Sequence, residues 1–131
     1  MIEDGLVLQI QAGLGSPPLA AGGFAGMLPK DYAAPAYTWK TAGGKPSTGL
    51  QFVRGLRMRR FQIDCFAATA ALAMQLATAV DAINGFRGQL PDPDATYMDS
   101  CIRDGEPEGP EYGAEARNYW VMLEYEVWYA G

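Results

Sequence analysis

The chain is 131 residues long, the size of one domain; its 49% hydrophobic content allows a packed core, while 16 glycines and 9 prolines imply long irregular connections. With 15 acidic against 10 basic residues the net charge is -5, which argues against general affinity for nucleic-acid phosphates or anionic membranes. There is no histidine, the commonest general base and metal ligand, and 2 cysteines make neither a disulfide framework nor a four-ligand metal site.

The opening residues, MIEDGLVLQIQ, carry Glu3 and Asp4 where a signal peptide is positive, and no apolar run approaches the ~20 residues that span a bilayer. Synthesis and folding in the cytoplasm, with reduced thiols, is the expectation. Residues 2–12 space Ile2, Leu6 and Ile10 four apart with Val7 beside them, which predicts a short helix ended by Gly13 and Gly15. From Ser16 to Pro35, Pro17-Pro18 and Gly22-Gly23 predict a long loop, with a helical turn around Lys30 to Ala33. Ala36 to Thr41 has the aromatic and β-branched content of a first strand, broken by Gly43-Gly44 and Pro46. Extended chain resumes from Gly49 to Phe66, where Phe61, Ile63 and Cys65 alternate with Arg60, Gln62 and Asp64.

Thr69 to Asn84 reads as a helix with Leu72, Leu76, Ala79 or Val80, and Ile83 on its apolar stripe, stopped at Asn84-Gly85. Residues 89–114 read mostly as solvated acidic loop, with a short strand from Tyr97 to Arg103. Asn118 to Tyr129 then alternates Tyr119, Val121, Leu123, Tyr125, Val127 and Tyr129 against Trp120, Met122, Glu124, Glu126 and Trp128. No βαβ rhythm is present, so the expected fold class is α+β: one domain, residues 1–131, with an antiparallel sheet of about four strands packed on two helices and long Gly/Pro-rich loops.

The chemistry-bearing residues are few. Cys65 lies on the apolar face of its strand and reads as core rather than nucleophile, while Cys101 has no evident activating partner. Gly44-Lys45 lacks the rest of a phosphate-binding loop, since Pro46 follows it, and Asp92, Asp94, Asp99 and Asp104 lack the glycine of a calcium loop. No catalytic residue, cofactor site or metal site is expected. Arg54, Arg57, Arg59 and Arg60 form a basic cluster with three readings: charges guarding an edge strand, a surface for the acidic loop of a neighbouring copy (Asp104, Glu106, Glu108), or a phosphate contact. An acidic and a basic patch on one chain favour head-to-tail contacts, which close into rings. Trp120 and Trp128, on the face that carries Glu124 and Glu126, are either covered by helices at its ends or anchor a subunit interface.

Some of this wording resembles a known family. Pro35-Ala36-Tyr37 opens the first strand, followed by Phe61-Gln62-Ile63-Asp64-Cys65-Phe66, the helix Leu76-Ala77-Thr78-Ala79-Val80-Asp81-Ala82-Ile83 with Phe86 after it, and the ending Leu123-Glu124-Tyr125-Glu126-Val127-Trp128-Tyr129. In this order the pieces resemble the tail-completion, or tail-terminator, proteins of long-tailed bacteriophages, which join tail to head. Gly22 to Leu28 departs from that family, being glycine-rich and uncharged where the family tends to be basic and aromatic. The resemblance implies a virion structural protein at the neck, assembled in the host cytoplasm as a ring, commonly a hexamer. Its partners would be the tail tube protein below and the head-tail connector or stopper above, with DNA passing through unbound. Another neck component (stopper or adaptor), an intracellular small-ligand-binding module, and an enzyme acting through carboxylates are the alternatives.

Overall fold

The computed structural model describes residues 2–15, 20, 23–26, 34–42, 56–91, 96–113 and 118–130. The architecture departs from a four-stranded antiparallel sheet on two helices: among the described residues strands account for 52%, and seven of them form one mixed sheet curled into a half-barrel. They are β1 (Gly23–Ala25), β2 (Ala36–Ala42), β3 (Leu56–Ala67), β4 (Gly88–Gln89), β5 (Tyr97–Arg103), β6 (Glu108–Gly113) and β7 (Asn118–Ala130). Their order is β1-β2-β3-β7-β5-β4, with β6 also on β7. The sheet is mixed because β1 runs parallel to β2, Gly23 opposite Tyr37 and Ala25 opposite Trp39. The helical turn expected at Lys30 to Ala33 lies outside the described residues.

β7 occupies the middle. Along one edge it pairs antiparallel with β3 from Leu56↔Ala130 to Ala67↔Tyr119. Its other edge is shared: β5 takes the C-terminal half, up to Arg103↔Tyr125, and β6 the N-terminal half, from Glu108↔Met122 to Gly113↔Asn118. β5 and β6 are thus two lengths of one interrupted strand, and the Asp104 N–H bridges the break by donating to the Glu124 carbonyl at 2.8 Å. The stretch expected to be a solvated loop is strand because the second edge of β7 must find backbone partners. Gly109 makes the close approach possible. Its φ is +109°, and a Cβ there would stand 2.6 Å from the Trp120 carbonyl oxygen.

Two helices cover one face: α1 (Ile2–Ala12) and α2 (Ala70–Val80), the latter followed by a 3-10 turn, Asp81–Ile83. Thr69 caps α2, its hydroxyl accepting from the Leu72 N–H at 3.1 Å. The buried stripe is Ala73, Leu76, Ala77 and Val80, continued by Ile83; Leu76, Val80 and Ile83 stand where expected, whereas Leu72 is 42% exposed and Ala73 takes its place. Alanines at 73 and 77 let the helix sit low on the sheet, so that Ala73 rather than the bulkier Leu72 faces it. Beneath it lie Phe61, Ile63, Cys65 and Ala67 of β3 and Val121, Leu123, Tyr125 and Val127 of β7, joined in one cluster with Leu6 and Ile10 of α1. Tyr37 ties α1 to β2 by donating its hydroxyl to Gln11 Oε1 at 3.0 Å. Gly85, at φ +85°, turns the chain out of the helix, and its N–H donates to the Cys101 carbonyl of β5 at 2.6 Å.

One polar knot holds the helix end to the sheet. Asp81 accepts from the Tyr125 hydroxyl at 2.6 Å through one oxygen and from Arg103 Nη1 at 2.6 Å through the other. The Arg103 N–H donates to Asn84 Oδ1 at 2.9 Å, and its Nε to the Gly105 carbonyl at 3.0 Å. Replacement Asp81→Ala leaves a hydroxyl buried in the core without its acceptor and Arg103 without its carboxylate, and should cost about 1–3 kcal/mol. Urea unfolding measures this; a loss within the ~0.5 kcal/mol of an ordinary surface change would contradict it.

Candidate interaction surface

The alternation of β3 and β7 that builds the core also builds a second face, on the side away from the helices. Across it the pairs are Met58↔Trp128, Arg60↔Glu126, Gln62↔Glu124, Asp64↔Met122 and Phe66↔Trp120. On β2 the same face carries Thr38 opposite Asp64 and Lys40 opposite Gln62. β5 adds Ile102, 59% exposed, and β6 adds Glu108 and Glu111. Every β7 side chain of this face, Trp120 to Trp128, is half-buried. Apolar groups therefore bracket a charged centre.

Trp120 packs over Gly113, where a Cβ would lie 3.1 Å from the indole ring. Trp128 donates its Nε1–H to Glu126 Oε1 at 2.9 Å, which fixes one carboxylate and one indole together. Arg60 donates to Asp104 at 2.7 Å, with both side chains about half exposed (48% and 51%). An exposed pair of this kind contributes little to stability. The expected acid partner of Arg60 is thus present within the same chain.

Asp64 is the acid of the face whose ionisation burial opposes. Burial pushes its carboxyl above the usual range, opposed by the Gln62 amide, which donates at 3.3 Å to each oxygen, by the charge of Lys40 and by Thr38. Its place on the strand was legible in the alternation, but its burial was not, because that depends on the neighbouring strands. Met58, Phe66 and Ile102 were missed for the same reason, whereas Met122 was legible in the alternation of β7.

The arginine cluster does not form one patch. Arg54 lies outside the described residues, and of Arg57 only the backbone is described, opposite Tyr129. Arg59 sits on the helix side of the sheet, opposite Val127, with its Nε donating to the Tyr129 hydroxyl at 3.0 Å. Arg60 alone joins the open face. Strand alternation separates neighbours in sequence onto opposite faces. Of the acidic trio, Asp104 pairs with Arg60, Glu106 is 91% exposed and 3.9 Å from Arg103, and Glu108 is exposed on β6.

Charge is nonetheless segregated across the sheet. No acid occurs between Asp31 and Asp64, a stretch that carries Lys40, Lys45, Arg54, Arg57, Arg59 and Arg60, and its described parts are β2 and the start of β3. Asp99, Asp104, Glu106, Glu108 and Glu111 lie along β5 and β6, on the other side of β7, with Arg103 among them. Both cysteines are buried on the helix side; burial pushes Cys101 up to about 12 and raises Cys65 further, so neither thiol ionises near neutrality. Among the described residues no group of three Cys, Asp or Glu could hold a metal ion, and no helix is long and apolar enough to cross a membrane. No protein-family model matches the chain, and no curated protein matches its sequence.

The Asp64 shift has a pH signature. Its pKa is higher folded than the ordinary 3.8, so the folded state holds the proton more tightly and stability falls as pH rises through that window. Asp64→Asn should therefore be more stable than the natural protein at pH 7, with the gain fading below the ordinary carboxyl range. Thermal unfolding across pH checks this, and a variant that is less stable at pH 7 but equal in acid would contradict it.

Proposed function

We propose that the protein is a structural subunit of the tail-terminator kind, forming a ring that caps the tail tube of a long-tailed bacteriophage and joins it to the head connector. The observation that carries this reading is the separation of charge across β7: bases on the β2–β3 side, acids along β5 and β6. A chain with opposite charges on opposite sides of one sheet is suited to head-to-tail contact, the acidic side of one copy against the basic side of the next. Repeated by a rotation that closes, this contact makes a ring. A net charge of -5 suits the wall of a channel through which DNA must pass without adhering.

Light scattering on purified protein tests the contact. At low ionic strength the natural chain should have the mass of a ring, alone or once tail tubes are added, and salt should weaken it. Glu108→Lys with Glu111→Lys should reduce the mass, and so should Arg57→Glu with Arg59→Glu. Mixing the two double variants should restore it, since each reversed side then meets its complement. Masses unaffected by either reversal, or a single-subunit mass under every condition, would contradict the proposal.

A further inference from the structure

The head-to-tail contact draws on Glu108 and Glu111 at the β6 edge of the open face and leaves the row along β7 itself unassigned. Trp120 and Trp128 are eight residues apart on β7, about 27 Å at the rise of a strand. Phe66 and Met122 gather at the first indole and Met58 at the second. Between them stand the carboxylates of Asp64, Glu124 and Glu126. The cation among them, Arg60, is bonded to Asp104, a fourth acid, and Lys40 flanks the row from β2. Acids thus exceed bases in the centre of a face whose two ends are apolar.

We propose that this open face docks a basic segment with apolar anchors, supplied by a different protein, lying along β7 between the two indoles. The proposal rests on reading the protein as an assembly subunit and names the chemistry of what it joins. Charge complementarity selects the occupant: cations in the middle answer Asp64, Glu124 and Glu126, and apolar side chains at the ends fill the spaces beside Trp120 and Trp128. A second copy of this face is the wrong partner, because stacking two such faces sets carboxylate against carboxylate. The raised pKa of Asp64 agrees with this, since a cation from outside would supply the compensation that Lys40 and Gln62 leave incomplete. Indoles beside carboxylates also offer their ring faces to an incoming guanidinium or ammonium.

Two of the 3 tryptophans lie on this face, so indole emission reports its occupation directly. The test titrates the full chain with a Lys/Leu peptide of about 18 residues, long enough as an amphipathic helix to span the two indoles, and with its Glu/Leu counterpart. The Lys/Leu peptide should bind and shift the emission. Trp120→Ala and Trp128→Ala should each weaken it about tenfold or more. Glu124→Gln with Glu126→Gln should weaken it and flatten its salt dependence, whereas Leu72→Ala, on α2, should leave it unchanged. Should Trp120→Ala fail to fold, the Glu124→Gln/Glu126→Gln protein decides the matter alone. Equal binding of the Glu/Leu peptide, or unchanged affinity in the open-face variants, would overturn the proposal. A change in the protein's own mass in these variants would also overturn it, by making a second copy the occupant. The ring is weighed separately, so loss of docking with an intact ring, or the reverse, shows which reading failed.

Discussion

Everything in this fold depends on β7 being hydrogen-bonded along both edges. A strand of 13 residues cannot be completed on its second side by β5 alone, and β6 supplies the remainder. That requirement places a Gly- and Pro-rich acidic stretch in the sheet, against its own low strand propensity, because backbone groups left unpaired in the middle of a sheet are costly. It also fixes where the acids are. Asp104, Glu106, Glu108 and Glu111 are held on the far side of β7 from the basic stretch around β3, and the polarity of the molecule follows from pairing.

The parts of the structure legible in the sequence are those with a clean period. β7 and the second half of β3 alternate without interruption, and their inner and outer residues were assignable residue by residue. α1 carries its pattern in Leu6 and Ile10, and Gly85 marked the end of the second helix by its need for positive φ. What failed was whatever depended on partners distant in sequence. Glu108 to Gly113 has no apolar alternation, since its side chains are mostly exposed, so nothing local announced a strand. α2 is apolar nearly all round, which leaves its buried stripe to be chosen by the fit of Ala73 and Ala77 to the sheet. The basic cluster looked contiguous only because sequence distance ignores the pleat: Arg59 and Arg60 point to opposite faces.

For the interaction surface the balance was similar. Trp120, Glu124, Glu126 and Trp128 were readable as one row, since they are alternate residues of one strand. Their surroundings were not: Asp64, Phe66 and Met58 join them only through the β3 register, and Arg60 meets Asp104 across the width of β7. The result is a molecule with acids along β5 and β6 and a face with an acidic centre between indoles. Such a division suits a subunit that must bind its own kind and something else at once.

Electron microscopy of the purified protein at low ionic strength, with and without tail tubes, reads the central claim most directly. Head-to-tail contact between opposite charges predicts annular particles of rotationally related subunits around an opening, free in solution or seated at the tube end. Isolated subunits, back-to-back pairs or open filaments under all these conditions would contradict it.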